Sequence, residues 1–232
     1  MPVRRLYVVC EGQTEEEFVK TVLQAHFRDA IATDVIPILP SNRAGSNRRR
    51  YKGGWTSYAK LRDVLRREME QKHGGETWFT TMLDLYAIPS DFPGSADAPR
   101  RPARDRVAAL EATFHADVTT SQLWRFTPYL QLHEYEALLL ADIDAIGRWM
   151  PDEAGTGIAA LKADIAGLAP EEVDGGSQTA PSKRIVRHFP SYTGLKTSVG
   201  PLAALDIGLT RIRAACPHFS AWIAALERRC RD

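Results

Sequence analysis

Three short apolar runs, spaced by segments of helical periodicity, limit what this chain can fold into. They are residues 5–10 (Arg-Leu-Tyr-Val-Val-Cys), residues 34–39 around Val35, Ile36 and Ile38, and residues 77–83, which end at Asp84. Each is long enough for a buried strand and too short for a helix. Between the first two, Thr14 and Glu17 form a T-x-x-E capping box, and the spacing predicts a helix over about residues 15–28. Between the second and third, Tyr58, Leu61, Val64, Leu65 and Met69 recur at helical spacing over residues 56–72, which His73-Gly74-Gly75 closes. This order predicts an α/β fold, a parallel sheet covered by helices on both faces. Ligands of such sheets sit at the carboxyl ends of the strands.

The rest of the chain is more helical. A Pro-rich loop (Pro89, Pro93, Pro99, Pro102) leads to a helix over 104–115. A fourth strand is expected over 123–132, weakened at Pro128, and then a helix over 134–142. Beyond it we expect helices separated by loops at 151–157 and 171–182, the last helix lying near 219–229. We therefore divide the chain into a core, residues 1–142, and a helical extension packed on it, residues 143–232.

Totals exclude more than they assign. Thirty basic and 29 acidic residues leave a net charge of +1 over 232 residues, so any nucleic-acid surface must be local. Three cysteines without a CxxC pair suggest neither a disulfide framework nor a zinc site, and fit a reducing cytoplasm. No apolar run reaches the length that spans a membrane, and the first one is too short for a signal peptide. Walker A, dinucleotide-binding, G-x-S-x-G and HExxH motifs are all missing. His26, His188 and His218 have no ligand spacing and read as structural, as do Trp222, Ile223 and Leu226, which read as core or partner surface.

The acids at strand ends carry the chemistry. Glu11 follows the first strand and precedes Gly12, expected to turn the chain sharply; Asp84 follows the third. Two carboxylates at one sheet edge suit a hard divalent cation, which can steady charge in phosphoryl transfer. Glu134 and Glu136 follow the fourth strand; in a regular helix they diverge, and only an irregular first turn lets both reach one site. The plainer alternative is that strand-end acids cap the next helix, as Glu15, Glu16 and Glu17 do on this reading. Arg43, Arg48, Arg49, Arg50 and Lys52, beside Tyr51 and Trp55, form a basic loop suited to a nucleic-acid backbone, or a merely solvated one. Arg100, Arg101, Arg104 and Arg106 pose the same choice. Lys183, next to Arg184, could neutralise a scissile phosphate or stand at a helix start.

Val8-Val9-Cys10-Glu11-Gly12-Gln13-Thr14-Glu15 resembles the opening motif of TOPRIM-like proteins. Met82-Leu83-Asp84-Leu85-Tyr86, Asp91-Phe92-Pro93-Gly94, Leu132-His133-Glu134-Tyr135-Glu136, and Ala180-Pro181-Ser182-Lys183-Arg184 extend the likeness. It is to a bacterial TOPRIM-like family of unknown function, often encoded beside AAA-type ATPases and sometimes in anti-phage defence neighbourhoods. The resemblance implies a Rossmannoid TOPRIM-like sheet and a nuclease needing Mg or Mn. It implies that Glu11 acts as general acid or base and that Asp84 binds metal. Tyr86 replaces the second acid of the D-x-D pair, and Asp91 or Glu136 could supply the missing ligand. It also implies a nucleic-acid substrate and an ATPase partner, or alternatively a non-catalytic subunit of such an ATPase.

Overall fold

The computed structural model describes residues 3–40, 57–71, 76–96, 102–173 and 178–231. The fold is α/β, a parallel sheet with helices on both faces. β1 (Arg4–Cys10) pairs with β2 (Thr33–Ile38) on one side and with β3 (Thr77–Asp84) on the other. All eight residues of β3 are buried, as a central strand with two covered faces requires. Pro37, which lacks an N–H, is tolerated because β2 is an edge strand pairing with β1.

The fourth strand is not continuous. A 3-10 turn (Leu123–Arg125) leads into β4 (Phe126–Thr127), and Pro128 breaks the run before β5 (Leu130–Gln131). Both pieces pair parallel with β3. The strand order is β2-β1-β3-β4, so the chain's direction of growth reverses between β1 and β3. Doubly wound sheets bind their ligands at such a switch point, outside the carboxyl ends.

Side chains alternate across the sheet and divide the interior in two. Leu6, Val8, Cys10, Trp78 and Met82 face a broad core shared with α1 (Gln13–Phe18), a π-helical stretch (Val19–Leu23) and α2 (Gln24–Ile31). Val9, Phe79 and Leu83 face a smaller core with α3 (Tyr58–Glu70) and α4 (Ala103–Asp117). The broad core also takes Ile146, Phe219, Trp222 and Leu226 from the remaining helices, and Phe189 from the end of one of them. Those are α5 (Ile143–Trp149), α6 (Pro151–Asp164), α7 (Pro181–His188), α8 (Tyr192–Ile207), α9 (Leu209–Ala215) and α10 (Pro217–Arg231). Trp222 seals this face: its ring stacks on Tyr129 at 4.1 Å and its Nε1–H donates to Thr80 Oγ1. Burying each such aromatic is worth about 1.5–3 kcal/mol.

Several sequence expectations need correction. Residues 151–157 are helical, the first half of α6. Gly157 is a packing residue there, since a Cβ would meet the His188 carbonyl at 2.7 Å and the Phe189 ring at 2.9 Å. Residues 135–141 form a 3-10 helix rather than an α-helix. The first helix starts earlier than the T-x-x-E pattern implied. Gly12 is its N-cap, and Glu15 reaches back so that its Oε2 accepts from Gly12 N–H at 2.9 Å. Gly12 itself is extended (φ −149°), a conformation open to any residue, so it supplies room for Glu15 rather than a special turn. Among the described residues no helix is long and apolar enough to cross a membrane.

Candidate functional site at the carboxyl edge of the sheet

The end of β1 and the end of β3 bring Glu11 and Asp84 together at the switch point. The ladder continues one residue past the strand, Glu11 N–H donating to the Met82 carbonyl at 3.1 Å. Glu11 Oε2 then accepts from Asp84 N–H at 2.9 Å, which locks the two acids side by side. Glu15, 5% exposed, lies in the first turn of α1 and adds a third carboxylate close to Glu11.

The fourth acid arrives through an unusual turn. After β5 the chain passes through His133 at φ +65°, a left-handed conformation rare outside glycine. The His133 carbonyl accepts from Tyr86 N–H at 3.2 Å, which ties this turn to the end of β3. The turn sends Glu134 and Glu136 to different places. Glu134 Oε2 accepts from Ser182 N–H at 2.9 Å and so caps the start of α7. Glu136 points inward and is fully buried.

Among the described residues, Lys196 is the cation that meets these acids. Lys196 on α8 places Nζ 2.8 Å from Glu136 Oε1, and Tyr192, one turn earlier, donates its hydroxyl to the same oxygen at 3.3 Å. Gly200, a further turn along, lets α8 approach: a Cβ there would stand 3.1 Å from the Tyr192 hydroxyl and 3.2 Å from the Tyr135 ring. Lys196 and Glu15 are the site residues the sequence reading missed. Lys196 is the only basic residue of α8, but no local pattern pairs it with Glu136.

The electrostatics follow from burial. Burial, then the Glu11 charge, pushes Glu15 up to about 7. Asp84 is raised well above the carboxylate range by burial and by Glu11, Glu15 and Glu136. Burial also raises Glu11, against the pull of the Asp84 N–H and of Lys196. Glu136 is raised by burial even though Lys196 opposes it. Burial alone would lower Lys196, but the Glu136 carboxylate overrides it and holds the ammonium above its usual range. Asp84 Oδ1 and Glu136 Oε2 are buried without a hydrogen-bond partner. Bare buried carboxylate oxygens are costly and call for an explanation.

The donors suit a hard cation, because they are carboxylate oxygens. They are not an assembled coordination sphere: among the described residues no three His, Cys, Asp or Glu side chains stand in ligand positions. Asp84 and Glu136 offer free oxygens, and the ammonium of Lys196 sits where positive charge is wanted.

The other candidates lie elsewhere. Asp91 is occupied by a structural task, both carboxylate oxygens accepting from Tyr58 N–H at 3.1 Å to cap α3. Arg184 is bound to Asp164, Nη1 to Oδ1 at 2.7 Å, and clamps α7 to α6, so it does not present a free guanidinium to a nucleic acid. Lys183 is exposed on the first turn of α7, beside the Glu134–Ser182 contact. Tyr86 is 39% exposed and its ring packs 5.3 Å from His133. Glu16 and Glu17 pair with Lys20. Arg43, Arg48, Arg49, Arg50 and Lys52 lie outside the described residues, as do Arg100 and Arg101. Arg104 approaches Glu171 at 3.8 Å. The three histidines have structural partners: His26 with Glu227, His188 with Asp164, His218 with Glu111.

No curated protein and no solved structure matches the chain. The sequence profile of one family matches residues 10–227, which takes in every acid of the edge site. The chain belongs to the DUF4276 family, a domain of unknown function.

Proposed function

We propose that this protein is a phosphoryl-transfer enzyme dependent on a divalent cation, Mg or Mn, acting on nucleic acid as a nuclease. The observation that carries the reading is the pair of buried, partnerless carboxylate oxygens, Asp84 Oδ1 and Glu136 Oε2, at the switch point of a parallel sheet. By contrast, the equally buried Glu171 has a backbone donor on each oxygen, whereas Asp84 and Glu136 each keep one oxygen bare. The TOPRIM-like motif around Glu11 and Asp84 supports the same reading.

Asp84 and Glu136 would hold the cation, which when bound supplies positive charge to a developing phosphorane. Glu11 has one oxygen fixed by Asp84 N–H, which orients the carboxyl group. Its raised affinity for protons suits a group that takes a proton from an attacking hydroxyl or water and returns it. Glu15 shares that proton pool through its proximity to Glu11. Lys183, exposed beside the site, supplies a cation to the substrate backbone.

A second reading has its own support. Lys196 already neutralises Glu136, and Tyr86 stands where the resembling motif carries a second acid. Both features suit a non-catalytic subunit working with an AAA-type ATPase, in the setting of phage defence. Purified protein incubated with plasmid, single-stranded DNA or RNA and Mn²⁺ or Mg²⁺ decides between them. The enzyme reading expects cation-dependent cutting that falls about 10²-fold or more in Glu11→Gln and Asp84→Asn. Folded wild type that cuts nothing, alone or with the ATPase, contradicts it and leaves the subunit reading.

A further inference from the structure

The opposite, amino edge of the sheet carries a surface of another kind. Trp124, in the 3-10 turn that leads into β4, is 58% exposed. A single open apolar side chain needs no explanation in itself, but this one is held in place by two arginines. Arg229 Nη1 donates to the Trp124 carbonyl at 2.6 Å, and the Arg125 guanidinium lies over the indole, 4.8 Å from the ring centroid. Arg125 Nε is buried without a hydrogen-bond partner, so the ring, rather than a carboxylate, seats this cation. Phe126, two residues on, pairs with Phe79 near the start of β3. At the start of β1, Arg4 Nη2 donates to the Arg231 carbonyl at 3.4 Å. The last turn of α10, with exposed Arg228, Arg229 and Arg231, thus meets Trp124 at this edge. The length of β3 separates it from Asp84 by roughly 20–25 Å. Among the described residues no carboxylate pairs with Arg125, Arg228, Arg229 or Arg231. The nearby acids are taken, Glu76 by Arg4 and Glu227 by Arg213 and His26. The dipole of α10 favours cations in its last turn, but it gives no reason for an open tryptophan beside them.

We propose that the amino edge of the sheet is a binding surface for single-stranded nucleic acid, with Trp124 stacking on a base and Arg125, Arg228, Arg229 and Arg231 facing phosphates. The proposal goes beyond the reading of the acid edge and stands without it, since neither an acid nor a metal ion takes part. Unpaired bases expose flat faces that stack on an aromatic ring whatever the sequence, while unpaired arginines track the backbone. A duplex keeps its base faces stacked inside and would leave the indole idle, and so would an acidic peptide, which needs only the arginines. The cation seated on one side of the indole adds attraction for a phosphate next to the stacked base. Arg228 and Arg231 stand one turn apart on α10 and present two charges to the same strand.

The test is fluorescence anisotropy of a labelled oligothymidine titrated with the full chain, at several salt concentrations and with a chelator present so that no cutting intervenes. Trp124→Ala should weaken binding on the order of tenfold without changing its salt dependence, and Trp124→Phe should restore most of the loss. The double variant Arg228→Gln/Arg231→Gln should weaken binding and flatten the slope of log K against log salt by about 1.4. All three side chains are exposed and the carbonyl of residue 124 remains for Arg229, so thermal melts should match wild type. Wild type that does not bind the strand overturns the inference, and so do variants that bind as wild type does. Trp124→Phe as weak as Trp124→Ala removes the stacking role and overturns it as well. Tighter binding of a duplex of the same length overturns the assignment to single strands. The reading of the acid edge is judged separately, by cation-dependent cutting.

Discussion

Two sets of buried and half-buried acids in this molecule behave in opposite ways. The first is the edge cluster of Glu11, Glu15, Asp84 and Glu136. The second joins Glu111 on α4 and Glu171, in the 3-10 turn Pro170–Glu172, to the start of α10. Glu171 is as deeply buried as Glu136, but each oxygen has a backbone donor: His218 N–H to Oε2 and Phe219 N–H to Oε1, both at 2.9 Å. Glu111 Oε1 accepts from Leu130 N–H at 2.8 Å and faces His218 Nε2 at 3.1 Å. The Glu111 carboxylate overrides burial and raises the His218 proton affinity. This second set caps a helix and staples it to the sheet. The edge cluster has comparable burial, fewer donors and bare oxygens. Satisfied acids build structure; acids left short of donors store cost for a task, the pattern expected where stability is traded for activity.

The comparison breaks most visibly at Glu171. Glu171→Ala orphans two N–H groups at the start of α10, each worth about 1–3 kcal/mol, so urea denaturation should show a loss of about 2–5 kcal/mol. Mn²⁺ affinity should not change. A loss below about 1 kcal/mol would remove the contrast between the two sets.

The edge cluster should respond with the opposite sign. Glu15 titrates near 7 in the folded chain against about 4.3 in an unfolded one, so between these values the folded state binds more protons. Stability from this group therefore falls as pH rises through that window. Glu15→Gln keeps an acceptor for Gly12 N–H and removes the titration. It should gain on the order of 2 kcal/mol over wild type at about pH 8, with no gain near pH 4, in melting curves run across pH.

Smaller effects sharpen the boundary between the two kinds of acid. Glu134 lies near the edge cluster but caps α7, so Glu134→Ala should lower stability by about 1 kcal/mol in thermal melts, as structural acids do. Lys183→Ala should stay within about 0.5 kcal/mol of wild type, because the side chain is exposed, while weakening binding of single-stranded DNA in a filter or anisotropy assay.

The sequence displayed the edge of the sheet better than what covers it. β1, β2 and β3 are legible because each is a short, largely apolar run between helical segments, and Glu11 and Asp84 are legible because the first and third runs stop at them. β4 and β5 are not, since Pro128 splits a stretch that reads as one strand. Gly155 and Gly157 look like breakers, but at Gly157 the residue serves close packing of α6 on Phe189, which no local pattern announces. The divergence of Glu134 and Glu136 was readable from their spacing of two, whereas the left-handed turn at His133 that steers them was not. Lys196 was hidden for a different reason: its partner is 60 residues away in the chain, and only the packing of α8 permitted by Gly200 brings them together.

The most direct test of the central claim is the stability of Asp84→Asn against wild type, by urea denaturation at about pH 8 with and without Mn²⁺. An acid held for function predicts a variant more stable than wild type by on the order of 1–2 kcal/mol without metal, because a neutral amide replaces a buried carboxyl group crowded by Glu11, Glu15 and Glu136. It also predicts that Mn²⁺ stabilises wild type and not the variant. An Asp84→Asn protein that is less stable than wild type without metal would show that Asp84 is a structural acid like Glu171, and the account of the edge cluster would be wrong.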